Sequence, residues 1–172
     1  MVLRVPIQPE ADMLGHASDL KLMESELIRR DAFGPGASIW KCSTHTPDGI
    51  GYWIGNEPGD SFEFLAYLAL VPRDLDGFAV LEAKKGWTEP DWRRKGLGKS
   101  LLKAAAEAGP LLSDADGMTP MAFRQWESAS EFKRRWWDAK RICFVEDSVI
   151  PPEERFTAFE SGRRWLIVME LN

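Results

Sequence analysis

Cysteine and histidine are both scarce in this chain of 172 residues, which carries only Cys42 and Cys143, His16 and His45. Two cysteines cannot make a disulfide framework, and none of the four residues falls at metal-ligand spacing, so a structural zinc site is set aside. Both cysteines are expected as small buried residues in strands. No apolar run reaches the length that a membrane-spanning helix needs. The opening Met1-Val2-Leu3-Arg4-Val5-Pro6 has no secretory apolar core, so the expected setting is cytoplasmic, without a membrane partner. Positive charge is in deficit as well: 22 Lys and Arg against 27 Asp and Glu leave a net charge of -5. That balance argues against broad binding to nucleic acid or to anionic lipid. Internal repeats, low-complexity tracts and interdomain linkers are missing too, and the length suits one domain over residues 1–172.

What cationic charge there is lies in two places, around Lys84–Lys103 and Lys133–Arg141. The first holds the stretch on which the rest is organised: Pro90-Asp91-Trp92-Arg93-Arg94-Lys95-Gly96-Leu97-Gly98-Lys99-Ser100, then Leu101-Leu102-Lys103-Ala104-Ala105-Ala106-Glu107-Ala108. The second half is a strong helix former, and Leu97, Leu101, Ala104, Ala105 and Ala108 recur at the spacing of one buried helical face. Upstream, Phe78–Lys85 reads as a strand. Strand, loop, glycine turn and helix follow in that order. The first N–H groups of a helix lack intrahelical acceptors and sit at the positive end of its dipole. Glycines there let a ligand approach the backbone, so the pattern suits a phosphate or pyrophosphate. Arg93, Arg94, Lys95 and Lys99 carry charge of the matching sign.

Gly98-Lys99-Ser100 looks like the end of a P-loop, but that motif needs a glycine where Arg93 stands. The better match is Arg93-x-x-Gly96-x-Gly98 with the lead-in Pro90-Asp91-Trp92, which resembles the signature R/Q-x-x-G-x-G/A of the GNAT superfamily of N-acetyltransferases. The resemblance covers most of the chain, with its specific motifs between about Phe78 and Trp126. It implies an α/β (α+β) fold, a single acetyltransferase-like domain with a central mixed, mostly antiparallel sheet flanked by helices. It also implies acetyl-CoA (coenzyme A) as cofactor and an amine acceptor on a small molecule or a protein. Cofactor-binding residues carried over by the resemblance are Arg93, Arg94, Lys95, Gly96, Leu97, Gly98 and Lys99.

Along the chain, Val2–Ile7 reads as a short first strand and Pro9–Gly15 as a loop. From Ser18, Leu20, Met23, Leu27 and Ile28 give a helical stripe, ended by Phe33-Gly34-Pro35-Gly36. Strands are expected over Ser38–His45, Ile50–Ile54 and Phe62–Val71, with Arg73–Gly77 turning the last back into Phe78–Lys85. Gly109-Pro110 stops the central helix. Leu111-Leu112 opens a short strand, and Ser113–Gly117 is a polar loop. Thr119-Pro120 starts a second helix with Thr as N-cap. Ala122, Trp126 and Ala129 mark its face, and Arg134–Lys140 is a charged exit from it. Ile142–Val145 and Trp165–Leu171 are strand-like and resemble the family's closing pair. Eight tryptophans suggest a core or cleft built on large flat side chains.

Two carboxylates are candidate catalytic residues. Glu82 shares strand parity with Phe78 and Val80 and lies upstream of the turn, where several family members place a base; the other reading is a sheet-edge Glu paired with Lys84 or solvent. Asp114 is the second, against a loop carboxylate that caps its own turn. The chain departs from the family where many members have Asn-x-x-Ala-x-x-x-Tyr, the Tyr acting as general acid. Thr119, Ala122 and Trp126 stand at those positions, and indole has no proton of useful acidity. Trp126 is then expected to pack the cofactor channel. Two readings follow. One is an acetyl-CoA-dependent N-acetyltransferase. The other is a catalytically weak or inactive protein of that fold that binds a partner protein, which the tryptophans, including Trp136-Trp137, favour.

Overall fold

The structure, a computed structural model, describes residues 19–58, 63–116, 120–155 and 163–172. The expected strand at Val2–Ile7, the loop at Pro9–Gly15 and the Thr119 cap lie outside the described residues. Among those residues the strands are β1 (Glu26–Arg29), β2 (Ser38–Ser43), β3 (Ile50–Gly55), β4 (Phe64–Leu75), β5 (Phe78–Thr88), β6 (Leu111–Leu112), β7 (Phe132–Asp138), β8 (Cys143–Val145) and β9 (Trp165–Leu171). The helices are α1 (Leu97–Ala106) and α2 (Pro120–Glu127), and short 3-10 turns occur elsewhere, at Leu22–Glu24, Pro90–Trp92, Asp147–Val149 and Pro152–Glu154. Pairing is antiparallel except between β5 and β6, so the expected mixed, mostly antiparallel sheet is what forms, with two α-helices among the described residues. No helix of the described residues is long and apolar enough to cross a membrane.

The residues form two compact units. The first takes the described residues up to Val71 together with Lys84–Ala105, and its strands run in the order β1-β2-β3-β4-β5. Alternation along β2 and β3 puts Trp40 opposite Trp53, and β4 sets Tyr67 opposite Trp53. An aromatic core results: Trp40 stacks on Trp53 at 5.7 Å, and Phe64 lies against both Trp53 and Trp87. Stacked rings bury a large apolar area at small entropic cost, which explains the tryptophan content here. Cys42 is buried in this core, as expected, and burial pushes its thiol up to about 11, whereas Cys143, on β8, is only half-buried. On α1 four of the five residues of the predicted face are buried, Leu97, Leu101, Ala104 and Ala105 all at 5% exposure or less, while Ala108 lies beyond the helix end and is exposed.

The second unit takes Pro72–Ala83 and the described residues from Ala106 onward, with strand order β5-β6-β9-β7-β8. The parallel pairs are Leu81 with Leu111 and Glu82 with Leu112. A parallel neighbour needs a crossover connection, and the segment holding α1 supplies it. Val80, Leu112, Trp137, Leu166 and Val168 form the core of this unit.

Two expectations are corrected. Residues 19–30 are not a helix: Leu22–Glu24 is one 3-10 turn, and Glu26–Arg29 is β1, with Leu27 opposite Trp40. Met23, a member of the supposed stripe, is 70% exposed, so pairing with β2 overrides a weak helical pattern. Arg134–Lys140 is not a charged helix exit either. Its first five residues fall in β7 and the last two in the turn after it, and β7 lies between β9 and β8, so the two closing strands are not neighbours.

Candidate functional site

The β5 strand runs on to Thr88, and Pro90–Trp92 makes a single 3-10 turn closed by the Arg93 N–H donating to the Pro90 carbonyl at 3.2 Å. Arg93 Nε donates to the Thr88 carbonyl at 3.1 Å, which ties the turn to its strand. Arg94 and Gly96 then take positive φ, 63° and 85°. Glycine accepts that conformation freely, whereas Arg94 adopts it at a cost of about 1–2 kcal/mol. Strain of this kind gathers where a backbone is shaped for a purpose. The Gly96 carbonyl accepts the Ser100 N–H at 3.0 Å, which makes Gly96 the cap residue of α1, and glycine has no side chain to cap with. The first turn contains no acidic residue. Arg93, Arg94, Lys95 and Lys99 are all exposed around it, with Lys95 held 4.7 Å over the Trp92 ring.

That arrangement runs against the ordinary electrostatics of a helix start. Helices place Asp or Glu in the first turn and cations in the last, each worth about 0.3–1 kcal/mol. Here a helix start that opens on glycine, with no acid in its first turn, carries four exposed cations in and just before that turn. Such an end is stabilised by an external anion. A Cβ built on Gly96 meets no atom within 4 Å, so the turn is open on that side. The residues present therefore fit a diphosphate.

In the second unit, Glu82 is 1% exposed. Its Oε2 meets Arg73 Nε at 2.8 Å, and its Oε1 accepts the Ala115 N–H at 3.0 Å. An ion pair thus joins Glu82 to Arg73. Hairpin register could have found it: a two-residue turn at Asp76-Gly77 puts Arg73 across from Val80, one diagonal step from Glu82. Asp114 is half-buried, and its Oδ1 accepts the Asp116 N–H at 2.9 Å, a local turn bond of the kind Asp makes. The Asp114 carbonyl accepts a bond from Arg163 Nη1 at 3.2 Å. Arg163 went unnoticed in the sequence, since its contact with Asp114 spans 49 positions. Glu82, Asp114 and Arg163 therefore meet around one loop, 113–116, while residues 93–99 belong to the first unit.

Trp126 is 4% exposed on α2. The chain's two tyrosines, Tyr52 and Tyr67, are each 2% exposed on β3 and β4, and burial pushes the Tyr67 phenol upward, away from use as an acid. Trp136 and Trp137 are 7% and 6% exposed. Trp136 Nε1 donates to Asp147 Oδ1 at 2.9 Å, and Trp137 packs edge-on against Phe144. These two rings are core, not an adhesive surface, which removes their support for a partner-binding role. Beside them lies a cavity of about 530 Å³ lined by Arg134, Arg135 and Arg155 but also by Glu127, Glu146 and Asp147, so its charges balance. Among the described residues no group of His, Cys, Asp and Glu is placed to hold a metal ion.

No protein-family model matches the chain, and no curated protein matches it. Solved structures with a partial likeness do exist. An acetyltransferase of the GNAT family from Staphylococcus aureus Mu50 is 12% identical, over 73% of this chain and 69% of that one, with a TM-score of 0.41. A putative acyl-CoA N-acyltransferase from Klebsiella pneumoniae is 15% identical over 73% of each chain, with a TM-score of 0.40. The ribosomal-protein-S18-alanine N-acetyltransferase of Escherichia coli is 15% identical over 71% of this chain and 67% of that one, with a TM-score of 0.37. Likeness this shallow transfers no activity, so the weight falls on the chain's own residues.

Proposed function

We propose that this protein is an acetyl-CoA-dependent N-acetyltransferase that acts on an amine. The observation that carries the reading is the start of α1, a helix opening with a glycine cap, no acid in its first turn, and Arg93, Arg94, Lys95 and Lys99 exposed around it. That is a receptor for a polyanion, and the spacing Arg93-x-x-Gly96-x-Gly98 resembles the cradle for a coenzyme diphosphate. Main-chain groups from Arg94 through Lys99 hold the diphosphate, and Arg93 braces the turn from Thr88. When bound, acetyl-CoA supplies an acetyl group activated as a thioester.

The chain's remaining task is with protons. An acceptor amine must arrive neutral, so a carboxylate has to take its proton. Glu82 fills that role in this proposal, with Arg73, whose side chain is 55% exposed, as the partner that yields. Asp114 stands across the same loop as the second carboxylate. Trp126 offers no acidic proton, so water protonates the departing sulfur.

Calorimetry with acetyl-CoA, followed by free-thiol release over an amine panel, tests the reading. Saturable binding with turnover is expected, and Gly98→Trp should abolish the binding by filling the cradle. Absence of a binding heat in the unaltered protein, or unchanged affinity in Gly98→Trp, refutes it.

A further inference from the structure

Arg163 is a buried cation that the described residues satisfy only in part. It is 4% exposed, and burial pulls its guanidinium down while the nearby Asp114 carboxylate pulls it up. Nη1 donates to the Asp114 carbonyl at 3.2 Å, and the Arg163 N–H donates to the Ala115 carbonyl at 3.2 Å. Nε and Nη2 are buried, and neither finds an acceptor among the described residues. Buried guanidinium donors are ordinarily all paired, because arginine keeps its proton and an idle N–H loses its water for nothing. The two idle atoms form one side of the guanidinium fork, the edge that takes a carboxylate through two parallel bonds. Two carboxylates border the loop beside it: Glu82, on β5, receives the Ala115 N–H, and Asp114, within the loop, is half-buried and acts on the guanidinium.

We propose that Arg163 selects the acceptor, binding the carboxylate of a zwitterionic amine, an amino acid or a close analogue, whose ammonium group faces Asp114 and Glu82. The inference rests on the acetyltransferase reading and sharpens it. A dianionic phosphate fits less well, since two carboxylates share the cluster. A protein lysine or N-terminal amine fits less well too, for neither carries the adjacent carboxylate that the idle edge demands.

The test compares free amino acids with their α-amides and with the corresponding decarboxylated amines, in unaltered protein and in Arg163→Gln. Without coenzyme, the matching amino acid should raise the melting temperature of the unaltered protein and leave that of Arg163→Gln where it was. With coenzyme, the unaltered protein should prefer the acid over the amide by roughly 10- to 100-fold in kcat/KM, the worth of a charge-assisted pair of hydrogen bonds. Arg163→Gln should erase that preference through KM, with coenzyme affinity retained. Arg163→Leu should melt at or above the unaltered protein, because it removes an under-paired buried charge. Equal use of acid and amide, or a large loss of melting temperature in Arg163→Leu, overturns the assignment and leaves Arg163 structural. Failure of coenzyme to bind sinks the acetyltransferase reading instead, and the coenzyme-free melting shift still judges Arg163 by itself.

Discussion

Lys99→Glu separates a helix start built for a ligand from one that is merely basic. Lys99 is exposed in the first turn of α1, a turn with no acidic residue. Reversing its charge removes a cation from the positive end of the dipole and adds an anion, each change worth about 0.3–1 kcal/mol. Lys99 has an interaction of its own that the change forfeits, and an exposed contact of that sort is worth about 0.2–1 kcal/mol. The net effect on the ligand-free protein is a gain of about 0.5–1 kcal/mol, or roughly 1–4 °C in melting temperature for a chain of this size. The effect on coenzyme binding has the opposite sign. Two units of charge change acting on two diphosphate charges at about 6 Å come to about 2.8 kcal/mol in water, and physiological salt cuts this by about half. Affinity should therefore fall roughly tenfold, as read by calorimetry, and the gap should narrow further at high salt. A variant that melts lower, or that binds acetyl-CoA as tightly as before, refutes the cradle at α1.

Two further predictions concern the hairpin that joins β7 to β8. Ile142, exposed and β-branched, sits at φ 57°, where its side chain clashes with its own backbone. Ile142→Gly should stabilise the protein by about 0.5–1 kcal/mol in denaturant titration, and a loss of stability would deny that the turn is strained. Asp138, fully buried, accepts Arg164 Nη2 at 2.8 Å and Nε at 3.1 Å, and its Oδ1 also accepts the Lys140 and Arg141 N–H groups. The Arg164 bonds, helped by those two amides and opposed by burial, hold its carboxyl below the usual range. Its contribution is therefore complete above about pH 4–5 and lost as pH falls through the lowered folded value. Asp138→Ala should cost roughly 2 kcal/mol at neutral pH from the two turn amides alone. The deficit should shrink toward pH 2, and one that held constant with pH would refute the ionic account.

Where local chemistry decides the backbone, the sequence could be read. Asp76-Gly77 is a two-residue turn with both φ positive, and β4 and β5 follow from it. Leu97, Leu101, Ala104 and Ala105 mark α1 by periodicity, and Gly96 with Gly98 mark its opening. Failures occurred where distant partners decide. Glu26–Arg29 carries too few apolar residues to announce a strand, and it becomes one because β2 offers an edge with Trp40 opposite Leu27. In β7, Lys133, Arg134 and Arg135 mask the alternation. Arg135 lies 4.0 Å over the Phe144 ring and pairs with Glu170 at 3.0 Å, so its apolar stem and flat head do the packing that a hydrophobic residue does elsewhere. Arg163 is the extreme case, for its loop neighbour Asp114 is known only once β6 and β9 are paired.

The same long-range contacts complicate the choice of base, and they also resolve it. Glu82 holds Ala115 through Oε1 and Arg73 through Oε2, so Glu82→Gln disturbs a tether as well as removing a proton acceptor. A slower enzyme would then fit either role. Arg73→Met separates them, since it keeps the Glu82 carboxylate and its bond to Ala115 while releasing Oε2. Arg73 is more than half exposed, but its loss takes the ion-pair partner from a buried carboxylate, so Arg73→Met should cost about 3–5 kcal/mol, and turnover is compared well below the melting point of both variants. If Glu82 takes the amine proton, Glu82→Gln should slow turnover by about 10²–10⁴-fold, the usual worth of a general base, while Arg73→Met stays within a few fold. If Glu82 only anchors the loop after β6, both variants should lose turnover and melting temperature in step. Parallel losses would pass the base assignment to Asp114, whose carboxylate is the nearer to Arg163 and to the acceptor that Arg163 is proposed to hold.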